Sequence, residues 1–196
     1  MGDWALLGDR AVRFARPVGP SARAIMRAVR AWPGVVDVVV AQYDVAAYFN
    51  HSPAIDAARI RALAGVEDDA SPIRDIELRA VYDGPDLDEI ARFARTTMNE
   101  VAQIHRDATY TVETIGFAPG FAYMSGLDAR LRLPRRATPR LRVPSSSIAI
   151  AGEHTGVYPF DSSGGWHLIG RVVGARMFGP EGSLLRLGDH VRFVPC

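Results

Sequence analysis

The sequence predicts an α+β chain in which a small ferredoxin-like α/β domain precedes a domain built mainly of β-strands. Strand and helix patterns follow the order β-α-β-β-α-β up to residue 82, which is the split βαβ arrangement of a ferredoxin-like unit. Asp83-Gly84-Pro85 then interrupts the chain. After Tyr110, short strand patterns recur between Gly and Pro residues, as in a small barrel or sandwich. We therefore expect one domain over residues 1–84 and a second over residues 85–196.

The elements of the first domain follow from the spacing of its apolar residues. Residues 21–32 place apolar side chains at helical spacing, and Pro33-Gly34 ends that helix. A second helix is expected from Ser52-Pro53 to Gly65. Four strands are expected where β-branched or alternating apolar residues dominate, at residues 10–15, 35–40, 45–49 and 73–82.

Two short helices, over residues 86–97 and 99–108, open the second domain. The first of them begins with acidic residues, which suit the positive end of a helix. Strands are expected to follow wherever apolar runs lie between turn signals, at residues 110–115, 147–152, 166–173 and 189–194.

The composition excludes several classes of protein. A net charge of +1 with 48% hydrophobic residues gives no indication of a nucleic-acid or membrane partner. The absence of lysine excludes a Walker-type phosphate loop and Schiff-base chemistry. Cys196 is the single cysteine, so a disulfide within the chain is impossible, and the five scattered histidines predict no metal site. With no signal-peptide pattern and no apolar run near the roughly 20 residues of a membrane span, a cytoplasmic protein is expected.

The stretch over residues 109–171 is the most distinctive part of the chain. It holds three clusters in which Gly or Pro stands beside an aromatic residue, at residues 116–123, 158–160 and 164–166. Glycine permits φ > 0 and proline restricts φ, so these clusters predict shaped loops on a β scaffold. An arginine run separates the first two clusters: Arg130, Arg132, Arg135, Arg136, Arg140 and Arg142. We expect the working surface of the protein here.

This stretch, with IHRDATY upstream and LLRLGDHVRFVP downstream, resembles the family of the 5-oxoprolinase B subunit. Members of this family are also described as KipI-like, as allophanate hydrolase subunit 1 or as carboxyltransferase domains of subdomain C and D type. The resemblance covers most of residues 82–194. It implies a cyclophilin-like β-barrel for the second domain. It also implies a protein that works with a directly bound C subunit and with an A subunit to open 5-oxo-L-proline to L-glutamate. That reaction uses ATP with Mg²⁺, held by this chain or by the complex.

Charged residues within the resemblance suggest the catalytic groups. Arg135, Arg136 and Arg140 could bind a substrate carboxylate or an ATP phosphate, because a guanidinium meets either group bidentately. They could equally pair with acids of the C subunit or be solvated. His105 is the candidate general acid or base, since imidazole titrates near neutrality, with a structural histidine as the alternative. We therefore expect His105, Arg135 and Arg140 to be catalytic.

The aromatic and glycine clusters supply the expected substrate contacts. Each has a structural alternative, because Gly and Pro can simply shape a loop and a large ring can simply fill the barrel. The adjacent pair Gly164-Gly165 could present backbone N–H groups to an anion. The expected substrate-binding residues are Phe117, Pro119, Gly120, Tyr123, Tyr158, Gly164, Gly165 and Trp166.

Two segments depart from the pattern of the family, and two other functions stay open. Ser145-Ser146-Ser147 stands where a glycine is usual, and Ser163 where a proline is usual, so loop geometry and substrate identity are in question. One alternative is a KipI-like regulatory protein that binds and inhibits a histidine kinase. The other is a component of a related system that cleaves or carboxylates a urea-like substrate.

Overall fold

A computed structural model describes residues 4–68 and 72–196 of the chain. It divides the chain into two compact units, Met1–Pro72 and Ile73–Cys196. The predicted α+β class is confirmed. The α-helices within the described residues are α1 (Ala22–Arg30), α2 (Ala57–Ala62), α3 (Leu87–Ala94) and α4 (Met98–Asp107).

The first unit packs helix α1 against one antiparallel sheet. In sequence order its strands are β1 (Trp4–Leu7), β2 (Ala11–Ala15), β3 (Val35–Val40) and β4 (Asp44–Phe49), and their order across the sheet is β1-β2-β4-β3. Ser21 begins helix α1 by accepting a hydrogen bond from the Ala24 N–H at 3.2 Å. Phe14 of β2 stacks on Trp32 with ring centroids 5.7 Å apart, which anchors the helix to the sheet.

Strand β1 was not predicted, and it takes the place that the sequence pattern assigned to residues 73–82. Trp4 to Leu7 pair with Phe14 to Ala11, so the edge beside β2 is covered by the strand that precedes it. The strand predicted at 73–82 does form, but it belongs to the second unit. The break between units therefore precedes this strand, at residues 72–73 rather than at the expected 84–85. A local pattern identifies a strand but not its partner.

The second unit is built on a closed barrel of seven strands, in the order β10-β7-β6-β15-β5-β12-β9. Strand β5 pairs in parallel with β15 and antiparallel with β12, so both ends of the unit's sequence meet in one sheet. Two-stranded ribbons, β8–β11 and β13–β14, lie outside the barrel ladder. The strands in sequence order are β5 (Asp75–Val81), β6 (Tyr110–Ile115), β7 (Ala122–Ser125), β8 (Arg140–Val143), β9 (Ser147–Ala151), β10 (His154–Val157), β11 (Ser162–Gly164), β12 (His167–Val172), β13 (Phe178–Gly179), β14 (Gly182–Ser183) and β15 (His190–Pro195).

The barrel core includes a cluster in which large rings pack against small strand residues. Phe121, Tyr158 and Trp166 lie in it with Ala149 and Ala151 of β9, and all five are buried. The three rings come from the three Gly- and Pro-containing clusters of the sequence, which places the expected working surface at this end of the barrel. None of the helices within the described residues has the length and apolarity needed to cross a membrane.

Candidate active site

A small pocket of about 70 Å³ opens beside this ring cluster. It contains six of the eight predicted substrate-binding residues, one of the three predicted catalytic residues, and Phe121. Pro119 and Gly120 are not among its walls, and neither are His105 and Arg140. The pocket is lined by Phe117, Phe121, Tyr123, Arg135, Tyr158, Gly164, Gly165 and Trp166.

Phe121 is the centre of the aromatic wall. Its ring meets four others edge to face, with centroid distances of 5.0 Å to Tyr123, 5.2 Å to Tyr158, 5.4 Å to Trp166 and 5.5 Å to Phe117. This arrangement is favourable because the positive edge of each ring meets the negative face of its neighbour. Phe121, Tyr158 and Trp166 are also buried, so their positions are fixed by packing in the barrel core. Phe121 belongs to the first sequence cluster but was not predicted to be a site residue.

A tight turn between β6 and β7 presents Phe117 at the mouth of the pocket. The Gly116 N–H donates to the Phe121 carbonyl and the Phe121 N–H to the Ala118 carbonyl, both at 3.0 Å. Phe117 has φ 71° and is 63% exposed, an unusual conformation and environment for a large apolar residue. Such backbone strain is most often found where a side chain serves a ligand site.

Gly120 shapes this turn rather than touching the pocket. Its φ of 80° favours glycine, and a Cβ there would lie 2.8 Å from the Met177 carbonyl oxygen. For Pro119 and Gly120 the structural alternative therefore fits better than the predicted substrate contact.

Gly164 leaves the space that the Tyr158 side chain occupies. A Cβ on Gly164 would lie 2.8 Å from Cζ of Tyr158, and closer still to the hydroxyl oxygen, so only glycine is accommodated. Burial raises the pKa of Tyr158, an effect larger than the lowering by the Trp166 N–H and by the charge of Arg135. Burial likewise raises the pKa of Tyr123 against the charge of Arg135. Both phenols are therefore neutral at pH 7 and can donate a hydrogen bond.

The loop without the usual glycine keeps a left-handed residue. Ser146 has φ 65°, the conformation that glycine would adopt most easily. Its N–H donates to the Tyr158 carbonyl at 2.7 Å, and the Tyr158 N–H donates to the Ser147 carbonyl at 3.0 Å. The serine loop thus supports the backbone of Tyr158. Ser163, the other departure, is exposed in strand β11 and does not line the pocket.

The arginine run divides into paired residues and one unpaired residue. Arg130 and Arg142 are bound to Asp128 and Asp161, and Arg132 donates to the Leu127 carbonyl. Within residues 4–68 and 72–196, no acceptor pairs with the Arg135 guanidinium, which is exposed at the pocket. An unpaired cation beside an aromatic wall is suited to bind an anionic ligand.

Arg136 and Arg140 are occupied by Asp86, a residue for which the sequence predicted no role in the site. The Asp86 side chain is 5% exposed, and its Oδ1 accepts from Arg140 Nη2 at 2.6 Å and from Arg136 Nη1 at 3.1 Å. Two cations around one buried carboxylate form a structural ion-pair network. The prediction that Arg140 is catalytic does not fit this position, because Arg140 pairs with Asp86 and does not line the pocket. The only sequence signal for Asp86 is an acid between Pro85 and helix α3.

His105 lies in the barrel core, away from the pocket lining. It is fully buried, with Nδ1 2.7 Å from the Tyr82 hydroxyl, Nε2 2.8 Å from Thr155 Oγ1, and the rings of Tyr110 and Phe193 against it. Burial lowers the pKa of His105 to about 3, so the imidazole is neutral at pH 7. Both nitrogens are engaged and water has no access, so the structural alternative fits His105 better than the predicted catalytic role.

The pocket combines rigid rings, two phenolic donors and one free guanidinium. This set can bind a small planar acid, with the guanidinium on its carboxylate and a phenol on a carbonyl oxygen. No cluster of three or more His, Cys, Asp or Glu side chains that could hold a metal ion occurs in the described part of the chain.

Comparisons with known proteins agree with this architecture. The family described as carboxyltransferase domain, subdomain C and D, matches residues 1–183. The B subunit of 5-oxoprolinase from Bacillus subtilis (strain 168) is 34% identical over 217 residues, which cover 96% of this chain and 90% of that protein. The crystal structure of TTHA0988 matches with a TM-score of 0.80 and 33% identity over 95% of this chain, which spans 40% of that longer chain. The urea amidolyase of Kluyveromyces lactis has a TM-score of 0.72 at 17% identity, covering 98% of this chain and 15% of that one, a likeness of fold alone.

Proposed function

This chain belongs to the carboxyltransferase-domain family of subdomain C and D type, the family of the 5-oxoprolinase B subunit, and we propose that it is the B subunit of an ATP-dependent 5-oxoprolinase. The reaction opens 5-oxo-L-proline to L-glutamate. It is carried out by an assembly in which the C subunit is the direct partner and the A subunit completes the enzyme.

One observation carries the proposal: the unpaired guanidinium of Arg135 stands at the mouth of an aromatic pocket of about 70 Å³. 5-Oxo-L-proline is a small five-membered lactam that carries one carboxylate. Its ring matches the apolar walls, and its carboxylate matches a guanidinium, which binds such groups bidentately. The pocket is well below the roughly 300–1,000 Å³ of sites for drug-sized ligands, so it favours a molecule of this size.

The residues of this chain would bind and orient the lactam. Arg135 holds the carboxylate, while the neutral hydroxyl of Tyr158 or Tyr123 donates to the lactam carbonyl oxygen, where negative charge develops during attack. The buried ring of Trp166 keeps water from one side of the pocket, which strengthens the hydrogen bond to the carbonyl oxygen. Amide resonance makes the lactam carbonyl a poor electrophile, and ATP supplies the activation that overcomes it.

ATP itself does not fit the pocket, because the volume beside the rings is far too small for a nucleotide. We therefore place the nucleotide, with its Mg²⁺, outside this pocket, and Arg135 on the substrate carboxylate rather than on phosphate.

The test is release of ADP that depends on 5-oxoproline. The purified chain is assayed alone and then with candidate A and C subunits. We expect turnover in the full mixture only, and Arg135→Gln should abolish most of it while the assembly, followed by size-exclusion chromatography, stays intact. A stable complex that never hydrolyses 5-oxoproline would contradict the assigned substrate and favour a urea-like amide. Failure to form any complex would favour a regulatory binding protein.

A further inference from the structure

We propose that Asp86 is a positioning residue, which sets the geometry of the pocket by holding Arg135 opposite the aromatic wall. The inference deepens the proposed function, because it assumes that the pocket is the ligand site. Asp86 itself does not line the pocket, so the proposed role does not involve contact with the substrate. Its role follows from the three segments that it joins.

The first link connects Asp86 to the strand that follows Trp166. The backbone N–H of Asp86 donates to the Leu168 carbonyl at 3.1 Å, and the Leu168 N–H donates to Asp86 Oδ2 at 2.6 Å. The carboxylate thus completes the hydrogen bonding at the start of β12. Because Trp166 lies two residues before Leu168, these bonds also restrain the position of Trp166 at the pocket.

The second link connects Asp86 to the arginine loop. Asp86 Oδ1 accepts hydrogen bonds from both Arg136 and Arg140, which are the two ends of the loop of residues 136–140. A buried carboxylate needs such cations, because its charge has lost the stabilisation of water. If the two arginines moved away, the charge of the buried carboxylate would no longer be compensated.

The third link connects this network to the backbone on both sides of Arg135. On one side of Arg135 the Pro134 carbonyl accepts a hydrogen bond from His167 Nε2 at 3.0 Å, and on the other the Arg136 N–H donates to the Gly165 carbonyl at 2.7 Å. The backbone of Arg135 is therefore tied on both sides to the segment that forms the opposite wall. The Arg136 side chain donates from Nη1 to Asp86 Oδ1 at 3.1 Å and to Glu89 Oε2 at 3.2 Å, so the buried Asp86 and the more exposed Glu89 together hold this residue.

The use of the Asp86 side chain supports a dedicated role. Asp86 stands at the N-cap of helix α3, where an aspartate usually accepts a hydrogen bond from the first turn of the helix. Asp86 makes no such bond, because both of its oxygens face the Leu168 N–H and the arginines. The exposed acid Asp88 remains in the first turn, where its charge suits the helix dipole.

The experiment compares Asp86→Asn with Asp88→Asn in the full chain. Asp88→Asn is a matched control, because Asp88 lies in the same helical turn and its substitution removes the same charge. The Asp88 carboxylate is exposed and pairs with Arg92 at 3.1 Å. The first readout is amide hydrogen exchange at Arg136, whose N–H bonds to Gly165 rather than to Asp86. We expect exchange at least about tenfold faster in Asp86→Asn and unchanged in Asp88→Asn. The Val112 amide of barrel strand β6, bonded to the Asp189 carbonyl at 2.9 Å, reports that the barrel remains folded.

The second readout is the Kd for 5-oxoproline, measured by calorimetry at a temperature where each variant is folded. We expect Asp86→Asn to raise Kd at least about tenfold, because a displaced Arg135 guanidinium would lose charge-assisted hydrogen bonds to the carboxylate. If Asp86→Asn does not fold, Arg140→Gln removes one bond to Asp86 while Asp86 keeps Arg136 and Leu168, and the same two readouts apply. Unchanged Arg136 exchange with unchanged Kd would overturn the inference. If the wild-type chain binds no 5-oxoproline, the proposed function fails, and the exchange data alone then decide the role of Asp86.

Discussion

Replacing Gly164 by alanine adds one methyl group to the wall of the pocket and should disrupt it. The backbone at Gly164 lies outside the left-handed region, so alanine is allowed there and the effect is purely steric. The new Cβ would lie 2.8 Å from Cζ and 3.0 Å from Cε1 of Tyr158. Favourable carbon–carbon contacts are about 3.5–4.0 Å, so the ring must retreat by roughly 1 Å.

Tyr158 has little space for this movement, because it is 2% exposed and packs on Phe121. Overpacking of this kind typically costs about 1–3 kcal/mol of the free energy of unfolding. We expect Gly164→Ala to lower the stability of the barrel unit in urea titrations by that amount. The Kd for 5-oxoproline should rise by roughly tenfold to a hundredfold, since the displaced hydroxyl lines the pocket.

Gly165→Ala is the matched control for this prediction. It adds the same methyl group at the next residue, but the nearest atoms to the new Cβ are 3.7 and 3.8 Å away, an ordinary contact. Adding Tyr158→Phe to Gly164→Ala should recover part of the lost stability, because it removes the closest atom but leaves Cζ. Equal effects of the two alanines, or no change in Kd for either, would refute the steric reasoning and the assignment of the pocket.

Two further predictions concern the charged residues. Arg135→Gln should raise the Kd for 5-oxoproline at least about tenfold, since a hydrogen bond to a charged group contributes roughly 1.5–3 kcal/mol; the control Arg142→Gln, whose native guanidinium is bound to Asp161, should leave Kd unchanged in calorimetry. The pKa of His105 is lowered by burial from 6.5 to about 3, so unfolding takes up a proton between these values. The free energy of unfolding should therefore fall as pH falls below about 6.5, with this residue contributing up to about 1.4 kcal/mol per pH unit. His105→Gln cannot titrate, and in urea titrations from about pH 7 to pH 5 it should lack this contribution; identical slopes for the two proteins would contradict it.

The sequence predicted the elements well where the signal is local. Pro33-Gly34 ended a helix as expected, and the apolar run at residues 35–40 became β3 with those same bounds. The clusters of Gly, Pro and aromatic residues identified the loops that form the pocket, because rings need apolar partners and tight turns need special φ values. Several short strands were missed, among them β7 and β10, since four residues carry too little pattern to be recognised.

The partner of each strand and of each charge was decided only by the tertiary structure. Strand β5 was expected beside the first-unit strands, yet it pairs with β15 at the far end of the chain. Arg135 and Arg140 are equivalent by composition, but Asp86, 54 residues from Arg140, takes that charge and leaves Arg135 free within the described residues. His105 was expected to act as a general acid or base, but it is fully buried with both ring nitrogens engaged, and burial lowers its pKa to about 3. The sequence by itself determined the family, the longer elements and most of the rings of the pocket; solvent exposure and long-range pairing, which only folding creates, determined which polar groups line the pocket.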